Sequence, residues 1–298
     1  MTAPLIELRN ISRRYATGSV SVAALEGVDL VIEAGEFVAV MGPSGSGKST
    51  LMNLVGCLDR PSDGEYYFRG EAVHQADADE LARLRREVFG FVFQSYNLLG
   101  MATARENVEI PAIYAGTPRR DRALRAANLL KGLGLSHRLS HQPGELSGGE
   151  QQRVAIARAL MNGGRVVLAD EPTGSLDSAS GREIIAQLET LSHQGHTIIL
   201  VTHDPNVAAH AHRRIELLDG HVVADDGPGL PSNAAANVPT QSSPRTTTRA
   251  PVPSFRESVR TAMRALRTNR LRTSLTLLGI IIGVLSVTAM GVRQIVGE

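Results

Sequence analysis

The sequence contains a single cysteine, Cys57, among 298 residues. One cysteine excludes an internal disulfide and any metal site built from several thiolates. Because Cys57 lies in an apolar stretch with helical spacing, we expect it to be a buried small hydrophobic residue. The N-terminus, MTAPLIELRNISRRY, lacks the apolar core of a secretory signal. The N-terminal part of the chain is therefore expected to stay in the cytoplasm.

Lysine is absent from residues 227–298, which carry nine Arg and two Glu, a net charge of +7. Residues 1–226 have the opposite balance, with 22 basic and 28 acidic side chains. An acidic N-terminal part argues against a protein that coats nucleic acid, so no nucleic acid partner is expected. A basic tail beside an apolar run indicates contact with a membrane surface.

Composition divides the chain into an N-terminal domain, residues 1–225, and a different C-terminal part. Residues 226–253 are rich in Pro, Ser, Thr, Ala and Asn, with almost no large apolar side chain. Such a segment cannot bury enough apolar surface to offset the entropy of ordering, so it is predicted to be a flexible linker. We find no internal repeat.

Short apolar runs rich in β-formers predict an α/β fold for the N-terminal domain. Four of them have the character of buried parallel strands: 37–41, 91–93, 166–169 and 197–201. Alternation within 28–32 predicts a half-exposed antiparallel strand, and Asp219-Gly220 between two β-rich runs predicts a hairpin. An insert at about 95–160 has a mostly helical pattern. We therefore predict a mainly parallel core sheet, an antiparallel β flank and a helical insertion.

The stretch GPSGSGKST follows the strand 37–41 and matches the phosphate-loop pattern G-x-x-x-x-G-K-[ST]. In this pattern glycines let backbone N–H groups turn towards phosphate oxygens, Lys48 places its charge on the β and γ phosphates, and the Ser49 hydroxyl can ligate Mg²⁺. The predicted ATP-binding loop consists of Gly42, Pro43, Ser44, Gly45, Ser46, Gly47, Lys48, Ser49 and Thr50. The helix that follows is predicted from apolar residues at core-facing spacing: Leu51, Leu54, Val55 and Leu58.

The stretch VVLADE (166–171) is an apolar strand that ends in two acids. Asp170 can hold Mg²⁺ through water, and Glu171 can polarise an attacking water as a general base. Together with the phosphate loop, this stretch predicts hydrolysis of a nucleoside triphosphate.

The stretch LSGGEQQRVAIARAL (146–160) places a small polar residue and two glycines before a helix, which makes a second anion site. One ATP does not need two such sites in one chain, so the second is expected to serve another chain's ATP. Here the sequence resembles the ATP-binding domain of ABC transporters, whose signature motif is similar to LSGGQ. The resemblance implies a head-to-tail homodimer with Ser147, Gly148 and Gly149 at the partner's γ-phosphate. Glu150 stands where Gln is commoner.

The resemblance covers about residues 5–225 and implies further roles. Tyr15, which we place before the first strands, would stack on adenine, and Gln94 would sense Mg²⁺ and face the membrane domain. Asp177, in SLD (175–177), would communicate across the dimer, and His203 would contact the γ-phosphate. From the residues alone, an exposed Tyr15 or a structural His203 stays an alternative. The predicted catalytic residues are Lys48, Gln94, Glu171 and His203, and the predicted metal ligands are Ser49, Gln94 and Asp170.

Three finer matches resemble the branch that contains lipoprotein-release, cell-division and MacB-type macrolide-exporter ATPases. They are VFQSYNLL (92–99), ENVEIPAIYAG (106–116) and LADEPTGSLDS (168–178). Ser175 departs from the Asn usual in this branch. Residues 254–272 have an apolar stripe among six Arg and are predicted to form an amphipathic helix on the membrane surface. Residues 273–292 give 20 positions without a charge, predicting a transmembrane helix.

In the branch, the MacB-type arrangement fuses an N-terminal ATPase to its own membrane domain, so the resemblance implies an exporter of this type. Residues 293–298 would begin an extracytoplasmic region that is truncated here. The Arg cluster before the span places the ATPase on the cytoplasmic side of the cytoplasmic membrane. The implied partners are the remaining membrane domain, a periplasmic adaptor and an outer-membrane channel.

Other functions stay open at this point. A membrane-tethered ATPase that regulates a partner complex, as cell-division relatives do, and a lipoprotein-release ATPase are alternatives within the branch. A DNA-repair ATPase resembling the SMC group requires a long coiled coil between phosphate loop and signature, and none fits within residues 51–145. No residue indicates the cargo.

Overall fold

The computed structural model describes residues 3–17 and 20–227, which form two sheets with flanking helices. The strands are β1 (Ile6–Thr17), β2 (Val20–Ile32), β3 (Phe37–Met41), β4 (Asp63–Phe68), β5 (Glu71–Ala72), β6 (Phe89–Phe93), β7 (Val166–Asp170), β8 (Thr197–Val201), β9 (Arg213–Leu218) and β10 (His221–Asp225). The α-helices are α1 (Lys48–Val55), α2 (Ala78–Glu87), α3 (Ala104–Tyr114), α4 (Arg119–Gly132), α5 (Gly148–Ala159), α6 (Ser178–His193) and α7 (Pro205–Ala208). Single 3₁₀ turns lie at Val73–Gln75 and Pro143–Glu145.

The larger sheet has six strands in the order β10-β9-β3-β8-β7-β6. The pairs from β9 to β6 are parallel, and β10 pairs antiparallel with β9. Strands β3, β7 and β8 are apolar and buried on both faces, as parallel strands covered by helices must be. The predicted mainly parallel core sheet is confirmed.

The carboxyl ends of four parallel strands lie side by side in this sheet. Val40 of β3 pairs with Val201 of β8, Val201 pairs with Asp170 of β7, and Asp170 pairs with Phe93 of β6. The loops that leave these strands therefore emerge at one edge, which is where open α/β sheets bind ligands.

The smaller sheet is antiparallel, in the order β2-β1-β4-β5, and forms the predicted β flank. The predicted alternating strand lies in β2, with Val28, Leu30 and Ile32 buried. The predicted hairpin joins β9 to β10, where Asp219 and Gly220 have φ of 48° and 81°. Two successive left-handed residues are what a type I′ turn requires.

The helical insertion between β6 and β7 is confirmed as α3, α4 and α5. These helices share a core of their own that includes Val108, Leu130 and Val154. Thr103 and Ser147 cap α3 and α5, and in each case a Glu three residues later accepts a hydrogen bond from the backbone N–H of the cap residue. The insertion is therefore a packed unit that presents the start of α5.

A buried arginine ties the two sheets together. Arg213 of β9 donates to the Val31 carbonyl of β2 at 2.8 Å and to Glu36 Oε2 at 3.1 Å. Its other two nitrogens, Nε and Nη2, donate to the Asp225 carboxylate at 2.7 Å and 2.6 Å. Removing one partner of such a buried ion pair typically costs about 3–5 kcal/mol. The network holds the antiparallel sheet in a defined position against the core sheet.

Three local expectations are wrong. Tyr15 lies inside β1, not before the first strands. Helix α1 ends at Val55, and Cys57 follows it with φ of 57°, outside the helix. Leu58, expected in the core, is 47% exposed because the helix has ended before it. Cys57 is nevertheless buried as predicted, and burial raises the pKa of its thiol to about 11.

The predicted features of the C-terminal part lie outside the residues that the structure describes. The linker from residue 228 onward, the amphipathic helix 254–272, the span 273–292 and residues 293–298 all lie outside them. Within 3–17 and 20–227, no helix is both long enough and apolar enough to span a bilayer.

Candidate functional site

Two glycines of the phosphate loop are required by close backbone approaches. Gly42 has φ of 145°, and a β-carbon there would overlap the carbonyl oxygen of Leu217 in β9. Gly47 has φ of 103°, and its β-carbon would lie 2.5 Å from the carbonyl oxygen of Ala24 in β2. A larger residue at either position would displace the loop from the sheets that hold it.

The phosphate loop gathers groups that suit an anion. The buried Lys48 Nζ donates to the carbonyls of Gly42 and Pro43 at 2.7 Å and 2.8 Å, so the ammonium lies across the loop. Helix α1 begins at Lys48, and its N-cap Gly47 offers no side-chain cap to the first N–H groups. Ser46 Oγ is buried without a hydrogen-bond partner. An ammonium, an uncapped helix N-terminus and an unpaired hydroxyl form a cradle for phosphate.

The other predicted loop residues surround this cradle. Pro43, Ser44 and Gly45 are exposed at the tip of the loop, and Ser49 and Thr50 lie in the first turn of α1. All the residues predicted to form the phosphate loop therefore lie at the carboxyl end of β3 and the start of α1.

Asp170 ends β7 and is half-buried. Burial raises the pKa of its carboxyl above the ordinary value, and the neighbouring Glu171 raises it further. The Lys48 ammonium and a hydrogen bond from Ser49 act in the opposite direction. Asp170 therefore interacts with the two phosphate-loop residues that the sequence analysis assigned to phosphate and metal.

Glu171 and His203 follow the neighbouring strands β7 and β8 and contact each other at the carboxyl ends of these strands. Glu171 has a left-handed φ of 44°, and its N–H donates to the Val201 carbonyl at 2.9 Å. Its Oε1 accepts from the backbone N–H of His203 at 3.0 Å and lies 2.7 Å from His203 Nδ1. Because a carboxylate only accepts, Nδ1 carries the hydrogen of this bond. The Thr202 hydroxyl is 3.4 Å from the other carboxylate oxygen.

Gln94 follows β6 at the same edge and is exposed. A β-carbon at Gly174 would lie 2.7 Å from Gln94 Nε2, so Gln94 packs against the loop that leads to α6. The edge of the sheet therefore brings together the phosphate loop, Asp170, Glu171, His203 and Gln94.

Ser147 lies elsewhere, at the start of α5 in the helical insertion. Its Oγ accepts from Glu150 N at 3.2 Å, and Glu150 Oε2 accepts from Ser147 N at 2.8 Å. Arg138 Nε donates to Glu150 Oε1 at 2.8 Å. Burial raises the pKa of Glu150, but the bonds from Ser147 and Arg138 outweigh it, so the pKa lies below its ordinary value. Glu150 therefore serves as an ionised anchor for Ser147.

The other signature residues touch neighbouring loops closely. A β-carbon at Gly148 would lie 2.9 Å from the Tyr96 hydroxyl, and one at Gly149 would lie 3.1 Å from Ser180 Oγ. Asp177 caps α6 by accepting from two backbone N–H groups of its first turn and from Ser180 Oγ at 2.7 Å. These hydrogen bonds lower the pKa of Asp177.

Helix α5 and the loop after Gln94 are joined by a contact that no sequence pattern predicts. Arg158 donates to the carbonyls of Tyr96 and Asn97 at 2.8 Å and 2.6 Å. Both of these loop residues are left-handed, with φ of 58° and 50°. No local pattern could have indicated the contact, because its partners are about sixty residues apart in the chain.

The last predicted site residue, Tyr15, lies in β1 and pairs with Val22 of β2. The residue is 37% exposed, and its hydroxyl donates to Asp59 Oδ2 at 2.8 Å.

Comparisons with known proteins identify the family and the fold. The family described as ABC transporter matches residues 25–174. A solved structure, the dimeric post-hydrolysis state of the ATP-binding cassette MJ0796 bound to ADP and Pi, has a TM-score of 0.69 and 46% sequence identity. The match covers 74% of this chain and 97% of that one.

Two curated relatives extend the likeness to the C-terminal part. The macrolide export ATP-binding/permease protein MacB of Azoarcus sp. is 58% identical over 287 residues, covering 96% of this chain and 43% of that protein. The pyoverdine export ATP-binding/permease protein PvdT of Pseudomonas fluorescens is 56% identical over 301 residues, covering 97% and 46%. The chain thus spans less than half the length of these relatives.

Proposed function

This chain belongs to the ABC transporter family, and we propose that it is the ATP-hydrolysing part of a MacB-type exporter. The observation that carries the proposal is the single sheet edge on which the phosphate loop, Asp170, Glu171 and His203 meet. The MacB type is proposed because the export proteins MacB and PvdT are similar to this chain over nearly its whole length. The cell-division-like and lipoprotein-release alternatives are not favoured, because the relatives MacB and PvdT are export proteins.

The phosphate loop would bind the triphosphate of ATP. Its N–H groups and the Ser46 hydroxyl can donate to phosphate oxygens, and Lys48 can exchange its two carbonyl partners for the β and γ phosphates. Tyr15 would stack on adenine. The buried Ser46 oxygen supports this assignment, since a phosphate oxygen would satisfy it.

Magnesium fits the residues beside the loop. Within the described part of the chain no group of three or more His, Cys, Asp or Glu side chains could hold a metal ion. Mg²⁺ needs no such group, because it keeps several waters and binds through one or two protein oxygens plus substrate phosphates. Ser49 and Gln94 would hold it through their side-chain oxygens, and Asp170 would hold it through a water. When bound, it would neutralise charge on the β and γ phosphates.

Asp170→Asn should raise the Mg²⁺ concentration required for ATP hydrolysis by about 10–100-fold, the usual effect of losing an outer-shell partner. Asparagine keeps the shape of the side chain but removes the negative charge that attracts the ion. The measurement is a Mg²⁺ titration of ATPase activity. Asp63→Asn, at an exposed ion pair with Arg14, is the matched control and should leave the titration unchanged. An unaltered Mg²⁺ requirement in Asp170→Asn would remove Asp170 from the metal site.

Hydrolysis would depend on Glu171 and His203. The 2.7 Å bond fixes the Glu171 carboxylate beside the imidazole, at the strand ends next to the phosphate loop. Glu171 would accept the proton of the attacking water, and His203 would contact the γ-phosphate. Lys48 and Gln94 complete the proposed catalytic set.

The complete site would require a second copy of the chain. Helix α5 packs on α3, α4, α6 and β6, whereas α1 packs on β2, β7 and β8, so the two anion sites belong to different parts of the domain. The solved MJ0796 cassettes are dimeric. In a head-to-tail dimer, Ser147, Gly148 and Gly149 would close over the partner's ATP, and Asp177 would lie at the interface.

The C-terminal part would attach the domain to the cytoplasmic membrane. Residues 226–253 would be the linker, 254–272 the interfacial helix and 273–292 the first span, with residues 1–225 on the cytoplasmic side. The further membrane domain, a periplasmic adaptor and an outer-membrane channel are the proposed partners, and ATP-driven dimerisation would move membrane helices to export a cargo.

In cell fractions, the whole chain should remain with the membrane after an alkaline wash. Exposing the apolar residues of 273–292 to water would cost about 1.5–3 kcal/mol for each large side chain. Immunodetection in the washed pellet and the supernatant is the measurement, and a chain ending at residue 227 is the control expected in the supernatant. Recovery of the whole chain as a monodisperse soluble protein without detergent would contradict the membrane assignment.

A further inference from the structure

Three side chains form a closed cluster beside the exposed ring of Tyr15. The Arg13 guanidinium carbon lies 4.5 Å from the centroid of the Tyr15 ring, over its face. Arg13 Nε donates to Asp59 Oδ2 at 2.9 Å, and the Tyr15 hydroxyl donates to the same oxygen at 2.8 Å. Each member of this Arg13–Tyr15–Asp59 cluster thus contacts the other two.

The strand register places this cluster close to the phosphate loop. Arg13 pairs with Leu25 of β2, and Tyr15 pairs with Val22 of the same strand. A β-carbon at Gly47 in the phosphate loop would lie 2.8 Å from Leu25 Cδ2. The cluster therefore stands one strand away from the loop that would hold the triphosphate.

The Arg13 guanidinium covers one face of the Tyr15 ring, and the residue is 37% exposed, so a stacking ligand would approach the opposite face. The Asp59 oxygen accepts from the hydroxyl and fixes that end of the ring, so the ring cannot turn freely. A ring that is already fixed loses less entropy when a base stacks on it. The cation also draws electron density from the ring, which favours stacking against the π-face of a purine.

We propose that Arg13 and Asp59 are positioning residues for adenine, which hold Tyr15 as a one-sided stacking platform. The inference rests on the proposed function, in which Tyr15 stacks on the base. Arg13 could otherwise act as a counter-charge for the triphosphate. The hydrogen bond from Arg13 to Asp59 argues against this second role, because the Asp59 carboxylate already neutralises the guanidinium charge.

The chain contains a matched pair away from the site. Arg9 lies over the ring of Tyr67 at 4.7 Å, and the Tyr67 hydroxyl donates to Glu65 Oε2 at 3.0 Å. Both arginine–tyrosine pairs belong to the antiparallel sheet, and in each the tyrosine hydroxyl donates to a carboxylate. The pair at Tyr67 differs in that Arg9 Nε donates to a second carboxylate, Glu7 Oε1, at 2.8 Å. Arg9→Ala therefore removes an equivalent contact without touching the proposed platform.

The experiment compares binding of MgATP with binding of magnesium tripolyphosphate, which has no base, by the whole chain in detergent. Tyr15→Ala should weaken ATP binding by about tenfold or more, as loss of base stacking does. Arg13→Ala and Asp59→Asn should each weaken it by about two- to fivefold. Tripolyphosphate affinity should stay unchanged in all three variants, and Arg9→Ala should change the affinity for neither ligand. Arg13→Lys, which retains the cation, should recover part of the lost ATP affinity.

The outcomes separate this inference from the proposed function. If Tyr15→Ala weakens ATP binding and Arg13→Ala does not, the platform is overturned and adenine stacking stands. If Arg13→Ala weakens tripolyphosphate as much as ATP, Arg13 is a counter-charge and the inference is also overturned. If Tyr15→Ala leaves ATP affinity unchanged, the stacking role itself fails. Unchanged tripolyphosphate binding also shows that a variant has kept its fold around the loop.

Discussion

Glu171→Gln should bind ATP as the unsubstituted chain does and hydrolyse it at least ~10²-fold more slowly, the lower end for loss of a general base. Glutamine keeps the size of the side chain and can still accept the hydrogen bond that His203 N donates to Glu171 at 3.0 Å. It cannot take a proton from water. Steady-state ATPase activity and equilibrium ATP binding of the same preparation are the measurements. With hydrolysis blocked, we also expect an ATP-bound dimer to accumulate on size-exclusion chromatography.

The chain offers a control with the same local chemistry. Glu189 Oε1 lies 2.7 Å from His210 Nδ1, an exposed glutamate–histidine pair outside the proposed site. Glu189→Gln should therefore leave ATP hydrolysis and dimerisation unchanged. Near-normal turnover by Glu171→Gln would refute the role of Glu171 as the general base. Another residue at the strand ends would then have to accept the proton of water.

The strand ends could be predicted from the sequence because their patterns are local. Parallel strands buried on both faces are continuous apolar runs, and β3 and β8 were predicted with the bounds that the structure has. The loops after such strands meet at one edge by topology alone. The apolar strands that precede the phosphate loop, Asp170 and His203 were therefore enough to predict that these residues lie together.

The remaining features depend on contacts that no local pattern records. Tyr15 was misplaced because β1 is irregular, with register shifts near Ile11 and Arg13 that break the alternation of a strand. The Arg13–Asp59 bond joins residues 46 positions apart. The end of α1 was predicted too late because Leu58 continues the helical spacing after Gly56 has ended the helix.

Glu150, which stands where Gln is commoner in the family, forms an ion pair with Arg138 that explains the glutamate. Glutamine at this position could also bond to the cap residue, but it could not form the ion pair with Arg138. The capping pattern of Ser147 and Glu150 was readable from their spacing. The arginine was not, because it lies in the loop after α4.

Lys48→Ala and Ser147→Arg should each abolish ATP hydrolysis alone and restore part of it when mixed. Lys48→Ala damages the half-site that a chain supplies to its own ATP, and Ser147→Arg damages the half that it lends to its partner. Only the mixed dimer contains one site built from two intact halves. Random pairing of equal amounts would make about one quarter of the sites intact in a two-fold dimer. ATPase activity of each variant and of the mixture, in detergent, is the measurement.

The controls for this mixing experiment separate local damage from loss of the dimer. Lys131→Ala and Ser136→Arg make the same changes at exposed positions and should keep full activity alone. Because Ser147 caps α5, its loss should also destabilise that helix by about 1 kcal/mol, so melting temperatures are compared first. If the mixture is inactive although mass analysis detects mixed dimers, the two sites act only together. If mixed dimers form in neither the presence nor the absence of ATP, the head-to-tail arrangement is wrong, and Ser147 must act within its own chain.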